Sequence, residues 1–169
     1  KNIKKKVINI SFVGRLEKEN NPEFFVDIAK ECEKRRENFQ FHVFGDGTLE
    51  KKLKVSKCLK FHGWTKKKKI YSISDIIIIT SPINNFPYVA LEAKSYGIPV
   101  ISCSKGDIKE IIKNNKDGFL KYTDSTKEII ELIYKVINKY DFFSKNCLIR
   151  SKYFELNSSC SKFWKTINV

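Results

Sequence analysis

The sequence predicts an α/β fold, a Rossmann-like three-layer sandwich around a mainly parallel sheet. Three observations carry this expectation. Strand-like and helix-like hydrophobic patterns alternate along the chain. The run Ile76-Ile77-Ile78-Ile79 is apolar at every position, the mark of a strand buried on both faces of a parallel sheet. The 169 residues, 41% of them hydrophobic, suit one ordinary core and argue against disorder.

The elements follow in order. Residues 7–13 are β-rich and stop at Gly14. Residues 22–36 read as an amphipathic helix with Phe25, Ile28, Ala29 and Cys32 on one face and Pro22 suited to its first turn. Residues 39–44 alternate as a strand and end at the turn Gly45-Asp46-Gly47. A short helix (48–55) leads to a third strand (58–62), and 66–74 reads as a helix before the isoleucine strand. Residues 86–96 form a helix closed by Gly97, with Pro99 soon after. Then come a strand (100–103), a short helix (108–114), a short strand (118–120) and a strongly periodic helix (126–140). The tail, about 141–169, reads as two short helices, the second ending at Phe163-Trp164.

Composition excludes several classes. No apolar run approaches the ~18–20 residues of a membrane span, and the basic start lacks a signal peptide's cleavage site. No methionine occurs; the simplest expectation is a piece cut from a longer protein. The net charge of +14 comes from 29 Lys and only 4 Arg, beside 22 Ile and 13 Asn. Lys, Ile and Asn share AT-rich codons, so codon bias explains much of the excess. An anionic membrane surface or a phosphorylated substrate remains a candidate partner. Nucleic acid does not, because the lysines are spread along the chain rather than gathered with Arg and aromatics. The run Lys66 to Lys69 reads as the solvated end of a helix. Five cysteines with no C-x-x-C are neither a disulfide framework nor a zinc site, and they suit a reducing cytoplasm. His42 and His62 lie in strand-like runs and read as structural. No metal-ligand set is visible.

A parallel sheet binds its ligands at the carboxyl ends of its strands. The candidate segments are therefore Gly14-Arg15, Gly45-Asp46-Gly47, Gly63-Trp64, residues 80–85 and residues 104–107. None is a G-x-G-x-x-G or a Walker loop.

In order, these strand ends resemble the C-terminal, donor-binding domain of retaining family-4 glycosyltransferases, one half of a GT-B fold. The resemblance runs from Phe12-Val13-Gly14-Arg15-Leu16 to Phe163-Trp164. It is strongest over Asn84-Asn85-Phe86-Pro87-Tyr88-Val89-Ala90-Leu91-Glu92-Ala93 and Gly97-Ile98-Pro99-Val100-Ile101, where the family pattern is E-x7-E followed by G-x-P-V-I. The resemblance implies transfer of a hexose from a nucleoside diphosphate sugar, UDP- or GDP-linked, to a glycan or lipid-linked acceptor, as in polysaccharide biosynthesis. It implies no cofactor and no metal.

It also implies roles. Arg15, after Gly14, matches the arginine that holds the diphosphate. The family's lysine five residues on is Asn20 here, with Lys18 nearby as a substitute. Glu92 matches the glutamate that holds the ribose hydroxyls, while Asn84 replaces the one that contacts the donor sugar. Gly63 and Trp64 fall where the base is contacted, and Gly106 matches one of a glycine pair. Asn85, Phe86, Tyr88 and Val89 surround the start of a helix whose free N–H groups would face the phosphates. Arg15 and Glu92 are the expected catalytic residues. The whole of 1–169 is then the nucleotide-sugar domain, its tail packing back towards an N-terminal domain that supplies most acceptor contacts. The expected place is the cytoplasm, with peripheral contact at the inner face of the membrane. Asn20 and Asn84 leave open an alternative: a degenerate domain that binds nucleotide or a partner without catalysis.

Overall fold

A computed structural model describes residues 7–54, 58–84 and 86–154. Asn85, Cys160, Phe163 and Trp164, with the second helix expected of the tail, lie outside the described residues.

The strands are β1 (Ile8–Val13), β2 (Phe39–Phe44), β3 (Leu59–Phe61), β4 (Ile76–Ile79), β5 (Val100–Ser102) and β6 (Gly118–Leu120). They form one sheet in the order β3-β2-β1-β4-β5-β6, and every pairing is parallel. The helices are α1 (Pro22–Lys34), α2 (Glu50–Leu53), α3 (Lys67–Ile73), α4 (Tyr88–Ser95), α5 (Ile108–Ile111), α6 (Thr126–Asn138) and α7 (Tyr140–Ser151).

β4 lies between β1 and β5, and none of its side chains is more than 7% exposed. Its pleat sends Ile76 and Ile78 into one core, with Phe12, Phe25, Ile129 and Ile133 of β1, α1 and α6. Ile77 and Ile79 go into the other, with Ile70, Ala90, Ala93 and Ile108 of α3, α4 and α5. Each buried isoleucine contributes roughly 1.5–3 kcal/mol, so this strand requires helices on both sides. Among the long helices, α6 begins at Ser125, whose hydroxyl accepts from the Glu128 amide, an N-cap bond of the usual kind.

Two boundaries differ from expectation. α4 begins at Tyr88, not Phe86. A residue before proline is pushed out of the helical region, and Phe86 sits at φ 57° with Pro87, extended, as the N-cap. The helix expected over 126–140 breaks at Lys139, whose φ is −130°. Tyr140 then opens α7 and turns its ring into the core. α7 packs Phe143 on Phe119 of β6 and continues onto α4.

A buried charge cluster fastens α7 there. Lys94 of α4 and Asp117, before β6, are fully buried and paired at 2.7 Å. Lys94 also donates to the Ile111 carbonyl. The second Asp117 oxygen accepts from the Lys113 amide, and the Cys147 thiol donates to the Asp117 carbonyl. Arg150 Nε approaches the first oxygen at 2.6 Å as an ion pair without hydrogen-bond alignment. Burial lowers the Lys94 pKa, and Asp117 opposes that shift.

A second polar chain crosses the sheet. Asn9 donates its backbone and side-chain N–H groups to one Asp75 oxygen, at 3.0 and 3.1 Å. Its amide oxygen, 3.0 Å from His42 Nε2, must therefore accept. A neutral His42 then accepts at Nδ1 from His62 Nε2, 2.9 Å away, and His62 stacks on Phe44. Both histidines are structural, as their setting in strands suggested. Burial, then His62 and Lys60, push the His42 pKa down to about 4, against Asp75. Burial, Lys69 and Lys60 lower that of His62.

Two outcomes follow from these clusters. Asp117→Ala should destabilise the chain by about 3–5 kcal/mol, since it strands the Lys94 charge, whereas Lys94→Met, which leaves Asp117 its Arg150, should lose less than half as much; denaturant midpoints measure both. An unfolded imidazole titrates near 6.5, above folded His42, so the unfolded chain binds more protons between pH 6.5 and about 4. Stability should be complete above pH 6.5 and fall by up to ~3 kcal/mol as pH drops through that window. His42→Gln should flatten the slope, and unfolding free energies at half-unit pH steps would reveal a slope that does not change.

Candidate functional site

The strand order reverses between β1 and β4, and in open α/β sheets the crevice forms where the loops leaving the carboxyl ends of such strands part. Two cavities open there, sharing Val13 and Gly14 as a common wall.

The larger, about 510 Å³, lies between the ends of β1 and β2, the start of α3, and Glu92 of α4. Its floor is apolar, with Phe44 and Ile70 among its residues; Arg15, Lys66 and Lys67 bring positive charge. Backbone geometry makes the space. Gly45 stands at φ 130°, and a Cβ there would lie 2.0 Å from the Gly14 carbonyl oxygen, so only glycine lets the two loops approach this closely. The Gly45 amide donates to the Gly63 carbonyl, which brings the loop after β3 alongside. Trp64 follows at the rim, 78% exposed. Gly63 itself is at φ 62°.

Glu92 is half-buried and held from α3. Lys67 Nζ donates to Oε1, and Tyr71 Oη donates to Oε2 at 2.8 Å. Burial first, then this bond, raises the Tyr71 pKa. The Glu92 bond likewise raises that of Lys67. Ala93, next to Glu92, is fully buried against the sheet.

The smaller cavity, about 270 Å³, lies at the switch itself, between β1, β4 and the start of α4. Its polar side chains are Asn20, Thr80, Ser81, Asn84 and Tyr88, all neutral among the described residues. Pro87, Tyr88 and Val89 line it too, so the first turn of α4, with amides that have no helical acceptor and the positive end of its dipole, opens here.

The loop after β1 is clipped to both neighbours. The Thr48 amide and hydroxyl both donate to the Glu17 carboxylate. Thr80 Oγ1 donates to the Asn20 carbonyl, and the Asn20 amide donates to the Arg15 carbonyl, both at 2.8 Å. Asn20 therefore serves as a loop tie at the position where the resemblance implied a cation. Asn84 donates to Ser81 Oγ at 2.9 Å, and its backbone amide donates to the Lys105 carbonyl.

The structure thus brings Gly14, Arg15, Trp64 and Glu92 to one cavity and Asn20, Asn84, Tyr88 and Val89 to the other, Gly14 touching both. Gly63 contributes through its carbonyl. Lys18 sits exposed on a 3₁₀ turn (Lys18–Asn20) and lines neither cavity, which leaves Arg15 as the cation of that loop. Phe86 lines neither; its ring meets Phe154. Gly106 lines neither. Lys67 and Tyr71 are the neighbours that sequence reasoning missed; Ser81 lies in the candidate segment 80–85 but had no role assigned. Lys67 and Tyr71 stand one turn apart on α3, but only the fold turns them towards Glu92. Among the described residues, no three of His, Cys, Asp and Glu cluster to hold a metal ion, and no helix is long and apolar enough to cross a membrane.

The chain is similar to known proteins in sequence and in fold. The chain is 28% identical, over 94% of its length and 47% of the relative's, to the GalNAc-alpha-(1->4)-GalNAc-alpha-(1->3)-diNAcBac-PP-undecaprenol alpha-1,4-N-acetyl-D-galactosaminyltransferase of Campylobacter jejuni. It is 28% identical, over 86% of its length and 41% of the relative's, to the Escherichia coli UDP-Gal:alpha-D-GlcNAc-diphosphoundecaprenol alpha-1,3-galactosyltransferase. The crystal structure of Anabaena Alr3699/HepE in complex with UDP and glucose has the same fold, with a TM-score of 0.78 at 18% identity, covering 98% of this chain and 49% of that one. The chain spans less than half the length of the relatives it matches. The family description "Glycosyl transferases group 1" matches residues 1–147, and the chain belongs to that family, as a Rossmann-like half of the GT-B architecture seen in its structural neighbours.

Proposed function

We propose that this chain is the donor-binding domain of a retaining family-4 glycosyltransferase, and that the whole enzyme transfers a hexose from a nucleoside diphosphate sugar to a glycan or lipid-linked acceptor. One observation carries the reading: a single crevice at the strand switch joins an apolar cavity ending at a preset carboxylate, Glu92, to a neutral polar chamber at a helix N-terminus. In this reading the base lies by Gly63 and Trp64, the ribose hydroxyls meet Glu92, the diphosphate meets Arg15 and the first turn of α4, and the sugar occupies the chamber beside Asn84. The UDP named in the Anabaena complex supports the nucleotide, and the undecaprenol-linked acceptors named for the two relatives support the acceptor class.

The chemistry follows from charge. Breaking the bond between the anomeric carbon and the β-phosphate oxygen leaves negative charge on that oxygen, and groups placed in advance to meet it lower the barrier. Arg15 and the α4 amides are this chain's groups for that task. Arg15 is paired with Glu19 at 3.0 Å, but both side chains are more than half exposed. Such a pair is worth at most about 1 kcal/mol, so a diphosphate displaces Glu19 readily. The acceptor hydroxyl oxygen bonds the anomeric carbon and gives its proton to the departing β-phosphate oxygen, and the acceptor's contacts come from an N-terminal domain of the same protein. A net charge of +14 and lipid-linked acceptors fit a cytoplasmic enzyme working peripherally at the inner face of the membrane. No cofactor is part of this reading.

A second reading, nucleotide binding without turnover, is favoured by one observation: Asn20 and Asn84 give the chamber no charge, and each commits one side-chain N–H to a loop tie.

Arg15→Ala should weaken UDP binding about ten- to a hundredfold, the worth of a charge-assisted bond, without changing the melting temperature. Unchanged affinity by calorimetry would put the phosphates elsewhere. Glu92→Gln should weaken UDP and uridine alike, by about 1–3 kcal/mol. An effect on UDP alone would place Glu92 by the phosphates rather than the ribose.

A further inference from the structure

Glu92 reaches its cavity already held. Tyr71 is 2% exposed, packed in the same core as Phe44 and Ile77 and stacked on Tyr96 at 5.1 Å between ring centroids. Its hydroxyl is therefore fixed in space by the core, and a buried tyrosine hydroxyl takes a partner. That partner is Glu92 Oε2. From one turn earlier on α3, Lys67 takes the other oxygen. An ionised carboxylate offers about four acceptor positions; these two donors occupy one on each oxygen. One on each oxygen is left, which is the demand of a vicinal diol donating two hydrogen bonds at once. A glutamate on an open helix face must give up side-chain freedom when it binds, and this one has given it up on folding. Lys67 also balances its charge, which matters in a cavity meant for an anion.

We propose that Tyr71, seconded by Lys67, is a positioning residue that presets Glu92 as a two-point acceptor and so makes the site select ribonucleotides over deoxyribonucleotides. Tyr71 lines the same cavity, but its hydroxyl proton is committed to Glu92, and it acts through that carboxylate. The inference rests on the reading of this cavity as a nucleoside diphosphate site with Glu92 at the ribose.

The test is calorimetry of the 169-residue chain with UDP and with 2′-deoxy-UDP, on the parent, Tyr71→Phe, Lys67→Gln and Glu92→Gln. The readout is the ratio of the two affinities, with melting temperature beside it. The parent should prefer UDP by about tenfold, one well-made hydrogen bond. Tyr71→Phe keeps the packed ring; it should lower UDP affinity by about five- to tenfold, leave 2′-deoxy-UDP within about twofold, and bring the ratio below about two. Lys67→Gln should reduce the ratio about threefold, an effect that fades in high salt because Lys67 is exposed. Glu92→Gln separates the two ideas. If Glu92→Gln leaves the ratio at its parent value, the ribose reading itself is wrong. If Glu92→Gln collapses the ratio while Tyr71→Phe preserves it, Glu92 holds the ribose unaided and the positioning role is overturned. Equal loss of both nucleotides in Tyr71→Phe, with a lower melting temperature, overturns it too, because the hydroxyl then only stabilises the fold. Should Tyr71→Phe fail to fold, an unchanged ratio in Lys67→Gln overturns the proposal.

Discussion

A strand buried on both faces leaves its neighbours little choice. Ile76–Ile79 has no polar side to offer water, so helices must cover it above and below, and the connections that bring them there keep the sheet parallel. The other features depend on that requirement. With β1 on one side of β4 and β5 on the other, successive crossovers leave in opposite directions. Their loops part at the carboxyl ends, and the crevice is what lies between them. The site is therefore a by-product of burying four isoleucines, dressed by the residues that happen to follow each strand.

Those residues divide the crevice electrically. Charged groups line the larger cavity, Arg15, Lys66 and Lys67 against Asp46 and Glu92, and among the described residues only neutral groups line the smaller. Val13 and Gly14 form the wall they share; Gly45 is pressed against Gly14, and the loop that follows is tied by Thr80 at the Asn20 carbonyl and by Thr48 at the Glu17 carboxylate. Loops tied in this way lose little freedom when a ligand arrives. The two buried clusters do similar work further down. Lys94 with Asp117 sets α4 against α7, and the Asp75-Asn9-His42-His62 chain fixes the face beneath Phe44.

Much of this was legible in the sequence, wherever the signal is local. The isoleucine run, the periodicity of α6, the Gly97 stop and the glycine-rich strand ends each constrain the backbone within a few residues. The family resemblance then pointed to Arg15 and Glu92, which line one cavity. What escaped was set by longer contacts or by competing local rules. Pro87 removed Phe86 from the helix although the apolar pattern ran on. Lys139 ended α6 where Tyr140 kept the period, because Tyr140 gains more by turning into the core. Asn20 stood at a cation's position, but its carboxamide found a backbone carbonyl five residues back. The partners of Glu92 lie 21 and 25 residues away on another helix, and no spacing rule spans a crossover.

The two margins of the sheet have a consequence of their own. β3 contributes only three residues, with Lys60 exposed in their middle. Beside β6, α7 lays Phe143 over Phe119 and hands the Cys147 thiol to the Asp117 carbonyl. A strand from another chain would find a short, charged template at one margin and a helix in its way at the other, the devices by which sheets avoid fusing with one another. Growth by strand addition is thus discouraged sideways. The loops at the carboxyl ends stand open instead, and a second wall over them would turn an open crevice into a cleft.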